Sequence, residues 1–175
     1  MKKLLIVVDY QKDFVDGALG FAQAAALEQP IAEKIKAYRR AGQTVAFTLD
    51  THQVDYLSTQ EGKNLPVLHC VAGSAGHALY GHVAGLLQQG DKVFEKPAFG
   101  SAKLFDYLLG ETFDNIELVG LVSNICVLAN AVLAKTALPE AIVEVDAACT
   151  ASFDEALNRA ALDVLEGLQV RVINR

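Results

Sequence analysis

Apolar positions along the chain fall in short runs, and these alternate with longer stretches of helical spacing. The runs predict strands over Leu4–Val8, Val45–Thr48, Lys92–Phe94, Ile116–Gly120, Ile142–Val145 and Val170–Ile173. The stretches between them predict helices over Gln29–Arg40, Ala75–Gln88, Ala102–Leu109, Val127–Leu138 and Phe153–Leu168. Several runs are apolar at every position, as strands covered on both faces must be. Strand–helix alternation of this kind predicts an α/β fold: a mostly parallel sheet between two helical layers, joined by right-handed crossovers. Glycines in "AGQ" after Arg40 and "EGLQ" after Leu165 stand where helices stop. No repeat, low-complexity tract or linker divides residues 1–175, which read as one domain. The stretch from Asp50 to Gly73 reads as one long irregular segment, and such segments in compact domains are usually functional.

Composition narrows the class. Of 175 residues, 52% are hydrophobic and 21% charged, which fits a soluble globular protein rather than a disordered one. A net charge of -6 argues against a nucleic-acid surface. No apolar run approaches the roughly 20 residues of a membrane span. The opening "MKKLLIVVDYQKDF" has lysines before an apolar run, as a signal peptide does, but Asp9 cuts the run short and it reads as the first strand. Three cysteines without framework spacing point to a reducing compartment, and the cytoplasm is expected.

Ligands of open parallel sheets bind at the carboxyl ends of the strands. Asp9 follows the first predicted strand, Asp50 and His52 the second, Lys96 the third, Cys126 the fourth and Asp146 the fifth. An acid, a cation and a thiol are therefore expected on one edge. Cys126 lies in "ELVGLVSNICVLANAVLA", where a strand hands over to a helix. Unpaired N–H groups at a helix start are expected to lower a thiol pKa and to hold an oxyanion. Asp9 is placed to take the thiol proton and later deliver it to a leaving amine, with Lys96 balancing the charge. A free cysteine in this setting also reads as a small side chain filling the helix–sheet interface. Cys70 and Cys149 have no comparable setting.

"VVDYQKDFV" (Val7–Val15), "KPAFGSA" (Lys96–Ala102) and "GLVSNICV" (Gly120–Val127) resemble the cysteine hydrolases of the isochorismatase-like superfamily. The resemblance implies a six-stranded parallel sheet flanked by helices and a catalytic set of Asp9, Lys96 and Cys126. It also implies a cis peptide at Leu121–Val122, with the backbone amides of Val122 and Cys126 as oxyanion hole.

"LDTHQ" and "LPVLHC" supply Asp50, His52 and His69, a carboxylate and two imidazoles that suit zinc or another divalent ion. Two surface histidines beside a capping aspartate have the same pattern. Within the superfamily the set resembles the metal site of the nicotinamidase branch, and Glu61 falls near the position of a further carboxylate in some members. That branch usually places aromatic residues where this chain has Leu65 and Thr51, so Phe14 remains as the expected ring contact, with Leu65 beside it in the substrate pocket. His77 and His82 read as ordinary surface or interface residues.

The resemblance implies a metal-dependent amidohydrolase acting on nicotinamide or a similar small amide through a cysteine thioester. A sibling hydrolase of another small amide, ureide or carbamoyl compound is the alternative, and a non-enzymatic metal-binding or thiol-sensing module is a third. Relatives are often homo-oligomers, and apolar residues on the later helices allow one here.

Overall fold

A computed structural model describes Met1–Arg175 in full. One sheet of six strands runs through the molecule in the order β3-β2-β1-β4-β5-β6. The strands are β1 (Lys3–Val8), β2 (Thr44–Asp50), β3 (Lys92–Lys96), β4 (Asn115–Leu121), β5 (Ile142–Ala151) and β6 (Arg171–Ile173). Every neighbouring pair is parallel. The helices are α1 (Lys12–Val15), α2 (Ala22–Ala26), α3 (Glu28–Arg40), α4 (Gln60–Asn64), α5 (Gly81–Ala84), α6 (Ala102–Leu109), α7 (Leu128–Ala137) and α8 (Glu155–Gly167).

Period-2 alternation along β1 divides the core between the two faces. Leu4, Ile6 and Val8 pack with Leu104 and Leu108 of α6, Ala131 and Ala134 of α7, and Leu162 and Leu165 of α8. Leu5 and Val7 face the other way, onto Phe14, Ala24, Ile31 and Ile35 from α1, α2 and α3. Helix α3 buries Ile31, Ala32 and Ile35 and keeps Glu33 and Arg40 in water, an apolar stripe at helical spacing. Ser101 caps α6 by accepting from Leu104 N–H, and Asp154 caps α8 by accepting from Ala156 and Leu157 N–H.

Three expectations need correction. Residues 75–88 are not a helix. Lys12 and Asp13 N–H donate to the carbonyls of Ala78 and Gly76, and Tyr80 N–H to that of Tyr10. This backbone is spent on pairing with residues 10–13, and only Gly81–Ala84 closes a helical turn. The segment after Asp50 is less irregular than expected: a 3₁₀ turn at Tyr56–Ser58 leads into α4. Finally, β5 runs on to Ala151 through a register shift against β4, so Asp146 lies within the strand rather than after it. Its carboxylate pairs with Lys34 of α3 beside Glu117, away from the strand ends.

The chain reverses its winding between β1 and β4, which are neighbours in space. Such a switch opens a crevice at the carboxyl ends of the strands.

Candidate active site

The floor of the crevice is a buried ionic cluster. Asp9 follows β1 with φ of 45°, a left-handed conformation that costs a non-glycine residue energy. Its Oδ1 accepts from Thr48 Oγ1 at 2.6 Å and its Oδ2 faces Lys96 Nζ at 2.7 Å. Lys96 closes β3, and its ammonium also donates to the Ala98 carbonyl at 2.9 Å and stands 3.3 Å from Asp50 Oδ1. Cys126 Sγ lies 3.5 Å from the same nitrogen. An acid, a cation and a thiol from three strand ends thus share one water-poor point.

Cys126 does not open a regular helix. It lies in one wide turn, Ser123–Val127, in which Val127 N–H donates to the Val122 carbonyl five residues back. Wide turns of this kind recur at functional sites. The Leu121–Val122 peptide is cis. The Val122 N–H makes none of the turn or loop backbone bonds, and Val122 and Cys126 both line the cavity above. Just upstream, Gly120 has φ of 110°, and a Cβ there would overlap the Val8 carbonyl of the neighbouring strand. Only glycine fits.

The electrostatics differ from the expected low thiol pKa. Burial, then the Asp9 charge, push the Cys126 thiol well up, with Lys96 pulling against them. Burial also raises Asp9, again against Lys96. Burial would lower Lys96, but the charges of Asp9, Cys126 and Asp50 raise it. These shifts favour a charged lysine and a protonated thiol, with the Asp9 carboxyl group beside them.

Asp50 ends β2 with its carboxylate toward two imidazoles. Its Oδ2 is 3.0 Å from His52 Nε2 and 3.4 Å from His69 Nε2. One ligand atom from each residue lies within 4.8 Å of the others, and all three residues are buried. His69 Nδ1 is 2.8 Å from the Val67 carbonyl, a contact that fixes the ring with Nε2 turned toward Asp50. Burial would raise Asp50, but bonds to His52 and His69 and the Lys96 charge hold it far below the usual carboxylate range. A carboxylate and two oriented imidazoles fit zinc or a similar divalent ion. Glu61, on α4, is outside this set, with Oε1 3.8 Å from His52 Nε2.

Above both clusters is a cavity of about 630 Å³, lined mostly by apolar residues. Phe14 and Leu65 both line it, and the Phe14 ring meets His69 edge-on at 5.6 Å between centroids. His77 is apart from the site, its Nε2 bonded to Thr51 Oγ1, and His82 is exposed.

Sequence reasoning missed several supports. Gln11 clamps Asp50 by accepting from its N–H and donating to its carbonyl, at 2.8 and 2.9 Å. Tyr56 packs at a tilt against His52 and edge-on against His69, with centroids 4.4 and 5.0 Å away. Asn130 donates to the Cys126 and Phe99 carbonyls and accepts from Ser101 N–H, tying the cysteine turn to the loop after Lys96. A polar residue inside an otherwise apolar run was the available signal for Thr48 and Asn130.

A thiol, a carboxyl and a lysine at the floor, with metal donors beside them at a parallel sheet's switch point, define a hydrolase-type centre. The isochorismatase domain family matches residues 3–175, and the chain belongs to that family. It is 31% identical over 143 residues to the uncharacterized isochorismatase family protein PncA of Bacillus subtilis strain 168, covering 75% of this chain and 78% of that protein. The crystal structure of nicotinamidase/pyrazinamidase PncA from Bacillus subtilis superposes with a TM-score of 0.88 at 27% identity, over 98% of this chain and 99% of that one. Pyrazinamidase of Pyrococcus horikoshii in complex with zinc superposes with a TM-score of 0.86 at 21% identity over the whole of both chains, a likeness of fold.

Proposed function

We propose that this chain is a metal-dependent cysteine amidohydrolase of nicotinamidase type, converting nicotinamide or a similar small amide to the acid and ammonia. The observation that carries the reading is the meeting of Asp9, Lys96 and Cys126 at 2.7 and 3.5 Å beneath a cavity walled by Asp50 and His69. A binding module has no need of a buried lysine shared between an acid and a thiol. The nicotinamidase/pyrazinamidase neighbour from Bacillus subtilis supports the same reaction.

Asp9 takes the Cys126 proton as Sγ attacks the amide carbon. The carbonyl oxygen becomes an oxyanion and receives the Val122 and Cys126 backbone N–H groups. Lys96, kept charged, offsets the negative charge that passes between thiol and carboxylate. Asp9 returns the proton to the amide nitrogen, the C–N bond breaks, ammonia leaves and a thioester remains. Water then attacks the thioester while Asp9 accepts one of its protons. The C–S bond breaks, the acid departs and the thiol is restored. Asp50, His52 and His69 would hold a divalent ion, whose positive charge supplies a binding point for a substrate lone pair and polarisation. Phe14 packs against the ring. The small-amide substrate, a cytoplasmic location and a homo-oligomeric state belong to the same reading.

Ammonia release from nicotinamide, with zinc supplied, tests it. Release by the wild type and none by Cys126→Ala is expected. No release from nicotinamide or from other small amides would overturn the reading.

A further inference from the structure

The cavity is far larger than one ring. A cavity of about 150 Å³ is enough to hold benzene, and this one measures about 630 Å³. Burial divides it by depth. Cys126, Val122 and Phe14 at the base are at most 9% exposed, whereas Leu65, Phe99 and Phe153 are 38%, 49% and 64% exposed. The outer part is therefore a sleeve of large apolar side chains open to water, a feature monomer surfaces seldom carry without use. Phe153 is held there edge-on against Phe21, with centroids 6.3 Å apart.

The opposite end is closed. Asp9, which would protonate the leaving nitrogen, is fully buried, does not line the cavity, and has its oxygens against Thr48 and Lys96. A substituent on the leaving nitrogen would meet this packed floor. Glu61 on the wall, 3.8 Å from His52, disfavours a negative charge on the bound molecule near the metal donors.

We propose that the site is built for neutral primary carboxamides whose acyl part extends beyond a single ring by an apolar group, the amide at Cys126 and the extension between Leu65, Phe99 and Phe153. This rests on the amidase reading above and names its substrate class. The leaving group is ammonia, and secondary amides are excluded.

Equilibrium binding separates this inference from the reading it rests on. The Cys126→Ala protein, checked for folding and metal content, is titrated calorimetrically with nicotinamide, with 5-phenyl- and 6-phenylnicotinamide, and with their N-methyl amides. The better phenyl compound should bind at least about tenfold more tightly than nicotinamide, from the added apolar burial. N-methylation should cost about tenfold or more through steric exclusion. Adding Phe153→Ala should remove most of the phenyl gain. Phenyl compounds that bind no better than nicotinamide, N-methyl amides that bind equally well, or no binding by any of them would overturn the inference. Tight phenyl binding without ammonia release by the wild type would instead overturn the amidase reading and leave the assignment of the cavity standing.

Discussion

Lys96 Nζ lies 2.7 Å from Asp9 Oδ2 with both side chains almost wholly out of water. Two opposite charges so buried are held there by geometry, and removing one leaves the other uncompensated. Lys96→Met should therefore lower unfolding free energy by about 3–5 kcal/mol, read from urea melts. Asp9→Asn should lose less stability, since Asp50 remains 3.3 Å from the ammonium. It should instead lower kcat by about 10²–10⁴-fold as the proton carrier disappears.

The raised Cys126 pKa has a visible consequence. A thiol reacts as thiolate, so below its pKa it is mostly inert. Burial and Asp9 place that pKa well above the ordinary thiol value. Iodoacetamide labelling of Cys126, followed by peptide mass spectrometry, should keep rising with pH past the point where a free thiol levels off. Lys96→Met should move the profile higher still, because Lys96 is the group pulling the pKa down. A midpoint below that of free cysteine would contradict this electrostatic account.

Metal binding should depend on both imidazoles. Loss of one from a three-ligand set leaves too few protein donors to compete with water. His52→Ala and His69→Ala should each retain little zinc after desalting, by elemental analysis. Cys126 labelling should stay near the wild-type rate if the ion's task is to orient substrate.

Much of this arrangement was legible in the chain because a parallel sheet brings strand ends to one edge. Asp9, Asp50, Lys96 and Cys126 each follow an apolar run; the runs before Asp9, Asp50 and Cys126 are buried strands, and the one before Lys96 is the largely exposed edge strand β3. The structure departs from the pattern where long-range contacts override local preference. Residues 75–88 have helical composition, yet their backbone bonds residues 10–13. Asp146 follows an apolar run, yet the shifted strand continues past it and Lys34 takes its charge. Gln11 acts on Asp50, 39 residues away, and Asn130 reaches Ser101, 29 residues away, so a polar residue in an apolar run flags Asn130 but names neither residue's partner.

The Lys34 pair sets an acid-side test. Burial works to raise Asp146, but bonds from Lys34 outweigh it and lower its pKa. A depressed carboxylate contributes stability above its unfolded value of about 3.9, and this is lost as pH falls through the lower folded value. Lys34→Met should lower stability at pH 7 and reduce the loss on going to pH 3. Equal urea midpoint shifts for variant and wild type between those two pH values would contradict it.

Gly120 should tolerate no side chain. At φ of 110°, with the Val8 carbonyl against it, Gly120→Ala combines backbone strain with overlap. A loss of about 2–4 kcal/mol is expected from the two mechanisms together, seen as a lower melting temperature.

The central claim is that Cys126 carries the acyl group of a hydrolysed amide. Wild-type protein and Cys126→Ala, matched for melting temperature and zinc content, are mixed with nicotinamide, quenched in acid and analysed by intact-mass and peptide mass spectrometry. The account predicts a nicotinoyl adduct on Cys126 in the wild type, and neither adduct nor ammonia with Cys126→Ala. Ammonia release at a comparable rate by Cys126→Ala, or an adduct confined to Cys70 or Cys149, would contradict it.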